Sequence, residues 1–128
     1  MRMKLGVLAG VVAWCFAVPI AAHHSWPAEY DGTKSVTVKG VVTKVEWTNP
    51  HTHFYLDSTD EKGNVTSWNF EMASTLALER GGWSRKALPV GAQLTITGFE
   101  GRIVRTKAIA NSMITADGKE LFVPKLGN

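Results

Sequence analysis

The four histidines of this chain lie in two short clusters whose residue types and spacing suit metal binding. His23 and His24 are adjacent, and one residue separates His51 from His53. In an extended segment, residues two positions apart point to the same side, so His51 and His53 can direct both imidazoles toward one point. A set of nitrogen ligands favours Cu(II) by the Irving–Williams order, followed by Zn(II) and Ni(II). We therefore predict a metal site made of all four histidines, with a copper ion as cofactor.

The first histidine cluster follows a segment that has the composition of a secretory signal peptide. Arg2 and Lys4 form a short basic region, residues 5–20 are apolar and uncharged, and two small alanines follow. This pattern predicts a signal peptide over residues 1–22 and export to the periplasm. Cleavage after Ala22 would leave His23 with a free α-amine beside its imidazole, and the two groups can chelate one metal ion together.

Two alternatives to this cleavage stay open. Ile20 is an unusual residue three positions before the cut, so cleavage one residue away is possible. An uncleaved membrane anchor is less favoured, because residues 5–20 are fewer than the roughly 20 apolar residues that span a bilayer. After the predicted cleavage no membrane span remains.

The predicted mature chain, residues 23–128, has the size of one domain. Cys15, the only cysteine, belongs to the signal peptide, so the mature chain has neither a disulfide nor a thiolate ligand. Of the 14 basic residues, Arg2 and Lys4 leave with the signal peptide, so 12 remain against 11 acidic residues, a net charge near +1. That balance argues against a nucleic-acid partner.

Alternation of apolar and polar residues along the predicted mature chain indicates a mainly antiparallel all-β domain with one short helix. Ser74 can cap a helix over Thr75 to Arg80, which two glycines end. The predicted strands are 36–47, 53–56, 65–72, 93–97, 107–115 and 121–123. A helix between the third and fourth strands is typical of a small OB-like Greek-key barrel. A plain β-sandwich without closure is the alternative.

The first predicted strand changes the side on which its apolar residues lie. Val36 and Val38 share one parity, whereas Val41 and Val45 have the other. An inserted residue flips every following side chain, and glycine is common at such places. We therefore predict a bulge or bend near Gly40.

The aromatic residues of the predicted second and third strands have two interpretations. On an OB-like barrel, exposed aromatics can form a platform on which bases or sugars stack. Phe54, Trp68 and Phe70, however, have the parity of the predicted core face. Core packing is therefore the favoured interpretation for most of them.

Five segments of the chain resemble a family of small exported bacterial proteins of unknown function. They are residues 23–26, 46–51, 68–71, 80–83 and 89–91, which include the His-His-Ser-Trp start and the Trp-Thr-Asn-Pro-His block. The resemblance covers nearly all of the predicted mature chain. It implies an envelope location and no particular activity.

Two classes of function follow from these patterns. The first is a periplasmic copper-binding protein, a carrier or accessory rather than a catalyst. The second is an envelope interaction module that binds a partner protein or small ligand through its barrel face or loops. For that module the candidate ligand-binding residues are Trp47, Asn49 and Glu71, and the histidines are then solvated or bonded to nearby backbone.

Catalysis has little support in the sequence. The serines lie in no recognisable nucleophile elbow, and the chain has no phosphate-binding glycine loop and no dinucleotide fingerprint. We predict no catalytic residues. A redox enzyme built on the same copper site is a third alternative, and it would need an open coordination position.

Overall fold

Six strands and two short helices make up residues 25–125, the part of the chain that this computed structural model describes. The elements are α1 (Trp26–Glu29), β1 (Tyr30–Glu46), β2 (His53–Thr59), β3 (Val65–Glu71), α2 (Thr75–Arg80), β4 (Gln93–Gly101), β5 (Lys107–Thr115) and β6 (Glu120–Leu121). The predicted helix over Thr75–Arg80 and strand over Lys107–Thr115 have the observed bounds. The sequence does not predict α1, whose four residues include Pro27.

The strands are hydrogen-bonded in a ring. β1 pairs antiparallel with β2 on one side and with β4 on the other, β2 pairs with β3, and β4 pairs with β5. A parallel pairing of β3 with β5 joins the two ends that would be open edges in a sandwich. The predicted mainly antiparallel all-β fold, with a short helix between strands three and four, is confirmed. Its ring of pairings is of the predicted OB-like type.

The position predicted for the bend in β1 is wrong. The inner face runs without interruption through Val38, Gly40 and Val42, and the register against β2 shifts only between Val42 and Lys44. The sequence is ambiguous here because Val41 and Val42, one on each face, are both β-branched. Gly40 instead allows a close approach of two strands, since a Cβ at this position would lie 2.7 Å from the carbonyl oxygen of Asp57.

The core lies inside the ring and is made of alternate residues from every long strand. Its largest fully buried side chains include Phe54, Leu56, Phe70, Ile96 and Met113. This confirms the core face predicted for the second and third strands. Among the tryptophans, Trp83 is buried, and Trp47 and Trp68 are half-buried and pack against the core.

α2 closes one side of this core. The Ser74 hydroxyl accepts a hydrogen bond from the amide of Ala77 at 3.3 Å, which caps the helix as predicted. Leu78 points inward and is fully buried. Within residues 25–125, neither helix is long and apolar enough to cross a membrane.

Candidate functional site

The outer face of the β2–β3 strand pair carries the second histidine cluster. His53 lies opposite Glu71 in the register, and Tyr55 lies opposite Asn69. Because side chains alternate along a strand, these four residues share the face opposite the core. His51, two residues before His53, has the same parity.

The residue between the two histidines holds them on this face. Thr52 is fully buried, and its backbone extends the ladder of β2 and β3. Its amide donates to the carbonyl of Ala73 at 3.0 Å, and its carbonyl accepts from the amide of Met72 at 2.8 Å. The segment that carries His51 and His53 is therefore extended, as the same-side prediction requires.

Each histidine is held through its Nδ1 atom by a side-chain oxygen on β3. His51 Nδ1 contacts Oε1 of Glu71, and His53 Nδ1 lies 2.8 Å from Oδ1 of Asn69. An ionised carboxylate and an amide oxygen can only accept, so each neutral imidazole donates through Nδ1. The Nε2 atoms then keep their lone pairs, and within residues 25–125 neither has a hydrogen-bond partner. Metal-ligating histidines commonly have this outer-shell arrangement.

Glu71 is the centre of a buried polar network. It is 6% exposed, and its Oε2 atom accepts a hydrogen bond from the Tyr30 hydroxyl. Lys107 Nζ lies 3.3 Å from the same oxygen and 3.2 Å from Oε2 of Glu29. These contacts bring the start of β1 and the start of β5 to the carboxylate that holds His51.

The surroundings of Glu71 keep its carboxylate charged. Burial opposes ionisation, but the hydrogen bond from Tyr30 and the electrostatic interactions with His51 and Lys107 outweigh it and hold the pKa of Glu71 below its ordinary value. Burial and the hydrogen bond to Glu71 in turn raise the pKa of the Tyr30 phenol. Tyr30 therefore stays protonated and remains a donor.

A second carboxylate lies on the other side of His53. The Tyr55 hydroxyl donates to Oε2 of Glu46 at 3.0 Å, and Lys44 Nζ contacts Oε1 of Glu46. Hydrogen bonds from Lys44 and Tyr55 lower the pKa of Glu46. His53 thus lies opposite one acidic side chain on each neighbouring strand, Glu46 on β1 and Glu71 on β3.

The structure brings together only some of the predicted site residues. His51, His53 and Glu71 form one cluster. Trp47 packs against the core, and Oδ1 of Asn49 accepts from both the amide and the hydroxyl of Thr75 at 3.1 Å, which ties the β1–β2 loop to α2. His23, His24 and the predicted signal peptide lie outside the described residues.

The described residues by themselves do not form a complete metal site. Among residues 25–125, no group of three or more His, Cys, Asp or Glu side chains is placed to hold a metal ion. The metal site predicted from the four histidines therefore stays a prediction.

Three residues that directly hold His53 or Glu71 are not predicted from the sequence: Asn69, Tyr30 and Lys107. Asn69 could have been found, because Phe70 faces the core and its neighbours on β3 must face outward. Tyr30 and Lys107 come from distant strands, and no local pattern relates them to Glu71.

Comparison with known proteins places the chain in a family without assigning a function. Residues 11–110 match the family of unknown function DUF6152, so the chain belongs to this family. This confirms the resemblance to a family of unknown function. No curated protein and no solved structure gives a significant match. The function has to be argued from the site.

Proposed function

We propose that this protein is a periplasmic copper-binding protein, a carrier or accessory, whose site includes His51 and His53. One observation carries the proposal. Both imidazoles are anchored through Nδ1 on one half-exposed face, and both Nε2 atoms are available there. Two nitrogen donors held in this way favour Cu(II), with Zn(II) and Ni(II) following.

The remaining ligands in this proposal are His23 and His24, with the α-amine that signal-peptide cleavage would create. The segment that follows His24 supports a role for these two histidines. Its residue Tyr30 donates a hydrogen bond to Glu71, and Glu29 contacts Lys107, which itself contacts Glu71. Tyr30 follows His24 by six residues, so the first histidine cluster lies close along the chain to a residue that contacts Glu71.

Titration of Cu(II) into the mature protein, starting at His23, tests the proposal. We expect one tightly bound Cu(II) per chain, and weaker binding when His51 or His53 is replaced by alanine. One extra residue before His23 should also weaken binding, because it moves the free amine. Thr59→Ala, an exposed change at the other end of β2, is the control and should bind as the parent does.

Two outcomes would contradict this proposal. One is a parent that binds Cu(II) no more tightly than a disordered peptide containing His-His. The other is a set of three site variants that all bind as tightly as the parent. N-terminal sequencing of periplasmic protein tests the export step, and it should begin at His23.

An envelope interaction module is the second candidate. The turn between β4 and β5 presents two apolar side chains to solvent, Ile103 at 94% exposure and Val104 at 55%. Exposed apolar side chains of this kind can contact a partner protein. This candidate stands if the copper titration shows no binding.

A further inference from the structure

We propose that Glu71 is a positioning residue that sets the tautomer of His51, and that Tyr30 ties this carboxylate to the N-terminal segment. The inference rests on the proposed function, since it states how the copper site would be assembled. It adds two residues, Glu71 and Tyr30, that act on the metal through His51 rather than by binding it.

Several contacts hold the N-terminal segment against β4 and the turn that follows it. The Trp26 ring stacks on Phe99 with centroids 6.2 Å apart. Arg102 donates from its amide to the carbonyl of Glu29 at 2.9 Å and from Nε to the carbonyl of Pro27 at 3.0 Å. The path from residue 25 into β1 is therefore defined, and it ends at Tyr30, which is buried against Glu71.

The two carboxylate oxygens of Glu71 have different partners. Oε1 accepts from His51, whereas Oε2 accepts from Tyr30 and from Lys107. One buried side chain thus joins the segment that follows His24 to the segment that begins β2. If Tyr30 is displaced, Oε2 keeps only Lys107, and the two segments are then linked only indirectly, through Lys107 and Glu29.

This division of partners predicts what an amide would do in place of the carboxylate. A glutamine has one acceptor oxygen, and Tyr30 and Lys107 both donate on the Oε2 side. The oxygen should therefore turn toward these two donors, and the NH₂ group should face His51. His51 Nδ1 would then have to accept, its proton would move to Nε2, and the lone pair offered to the metal would be lost.

Two variants and a matched control test the inference in the mature protein. Glu71→Gln places an amide donor where His51 now meets an acceptor, and Tyr30→Phe removes the direct hydrogen bond between Tyr30 and Glu71. Tyr55→Phe is the control, because it removes a tyrosine–carboxylate hydrogen bond on the same face, to Glu46 rather than Glu71. Thermal unfolding followed by circular dichroism checks that each variant folds.

The first measurement uses the metal-free protein. Nitrogen-15 NMR of the histidine rings at pH 8 reports which nitrogen carries the proton. We expect His51 to be protonated on Nδ1 in the parent and in Tyr55→Phe, and on Nε2 in Glu71→Gln, with His53 unchanged in all three. A Glu71→Gln variant that keeps the parent tautomer of His51 would overturn the inference.

The second measurement is Cu(II) affinity. Outer-shell partners of ligating histidines typically change metal affinity by about 10–100-fold, so we expect a loss in this range for Glu71→Gln. Tyr30→Phe should weaken binding by about tenfold, at the low end of that range. In a protein whose His23 and His24 are both replaced by alanine, Tyr30→Phe should have no further effect.

The outcomes separate this inference from the proposed function. If His51→Ala weakens Cu(II) binding but Glu71→Gln and Tyr30→Phe do not, the positioning role is wrong and the copper site stands. If the parent binds no Cu(II) but Glu71→Gln still moves the proton of His51, the copper function is wrong and the positioning of His51 stands.

Discussion

The two faces of the β2–β3 strand pair differ in how their side chains are held. On the inner face, Phe54, Leu56 and Phe70 are in contact with many apolar neighbours and are almost completely buried. On the outer face, His53 is half-exposed and is held by a hydrogen bond to Asn69. Apolar burial is non-directional, whereas a hydrogen bond fixes one atom against another. The inner face therefore stabilises the fold, and the hydrogen bonds of the outer face fix the positions of the histidine nitrogens.

Replacing two neighbouring residues of β3, one on each face, should give the largest difference in the free energy of unfolding. Phe70→Ala should lower the free energy of unfolding by about 3–5 kcal/mol, because it opens a cavity in the core. Asn69→Ala, one residue earlier and on the outer face, should cost about 0.5–1.5 kcal/mol for its lost hydrogen bond. Urea unfolding measures both values. Equal losses would contradict the division between the two faces.

Two adjacent residues of β1 should show the same difference in stability between a buried and an exposed position. Gly40→Ala would place a Cβ 2.7 Å from a backbone oxygen of β2, so the strands must separate. We expect a loss of about 1–3 kcal/mol, as for other overpacked sites. Val41→Thr, on the exposed face, should change the stability by about 0.5 kcal/mol or less. A tolerated Gly40→Ala would show that the two strands can move apart without cost.

Acidification should lower the stability of the folded protein, because it protonates Glu71 on the outer face. Burial disfavours its charge, but the hydrogen bond from Tyr30 and the electrostatic interactions with His51 and Lys107 lower its pKa in the folded protein below the ordinary value of 4.5. Its contribution to stability is therefore present above pH 4.5 and is lost as the pH falls through the folded pKa.

Unfolding free energies measured between pH 7 and pH 3 test this dependence. Glu71→Gln has no carboxylate to protonate at this position, so its stability should fall less with acid than that of the parent. Parallel pH profiles for the two proteins would show that Glu71 does not contribute.

The smallest expected effect comes from the residue between the two histidines. Thr52 lies on the inner face, and its buried hydroxyl has no hydrogen-bond partner within residues 25–125. Thr52→Val keeps the shape and removes the unpaired group, so we expect a gain of about 1 kcal/mol. Cu(II) titration should be unchanged, because the backbone bonds that hold His51 and His53 remain. A loss of stability would indicate that the hydroxyl has a role in the core.

Local patterns were enough to predict much of the fold. Period-two alternation identified the core side of β2 and β3, and a serine cap followed by two glycines identified α2 with its observed bounds. The bulge in β1 was misplaced, because valines stand on both faces around Gly40 and apolar parity alone cannot locate the inserted residue.

The sequence by itself determined that His51 and His53 share one face, since that follows from the geometry of any extended segment. Only the tertiary structure decided which partners hold them. Tyr30 reaches Glu71 across 41 residues, and Lys107 arrives through the parallel pairing of β3 with β5. These contacts depend on the register in which the ring closes. That register is set by the packing of the whole core, which no local pattern encodes.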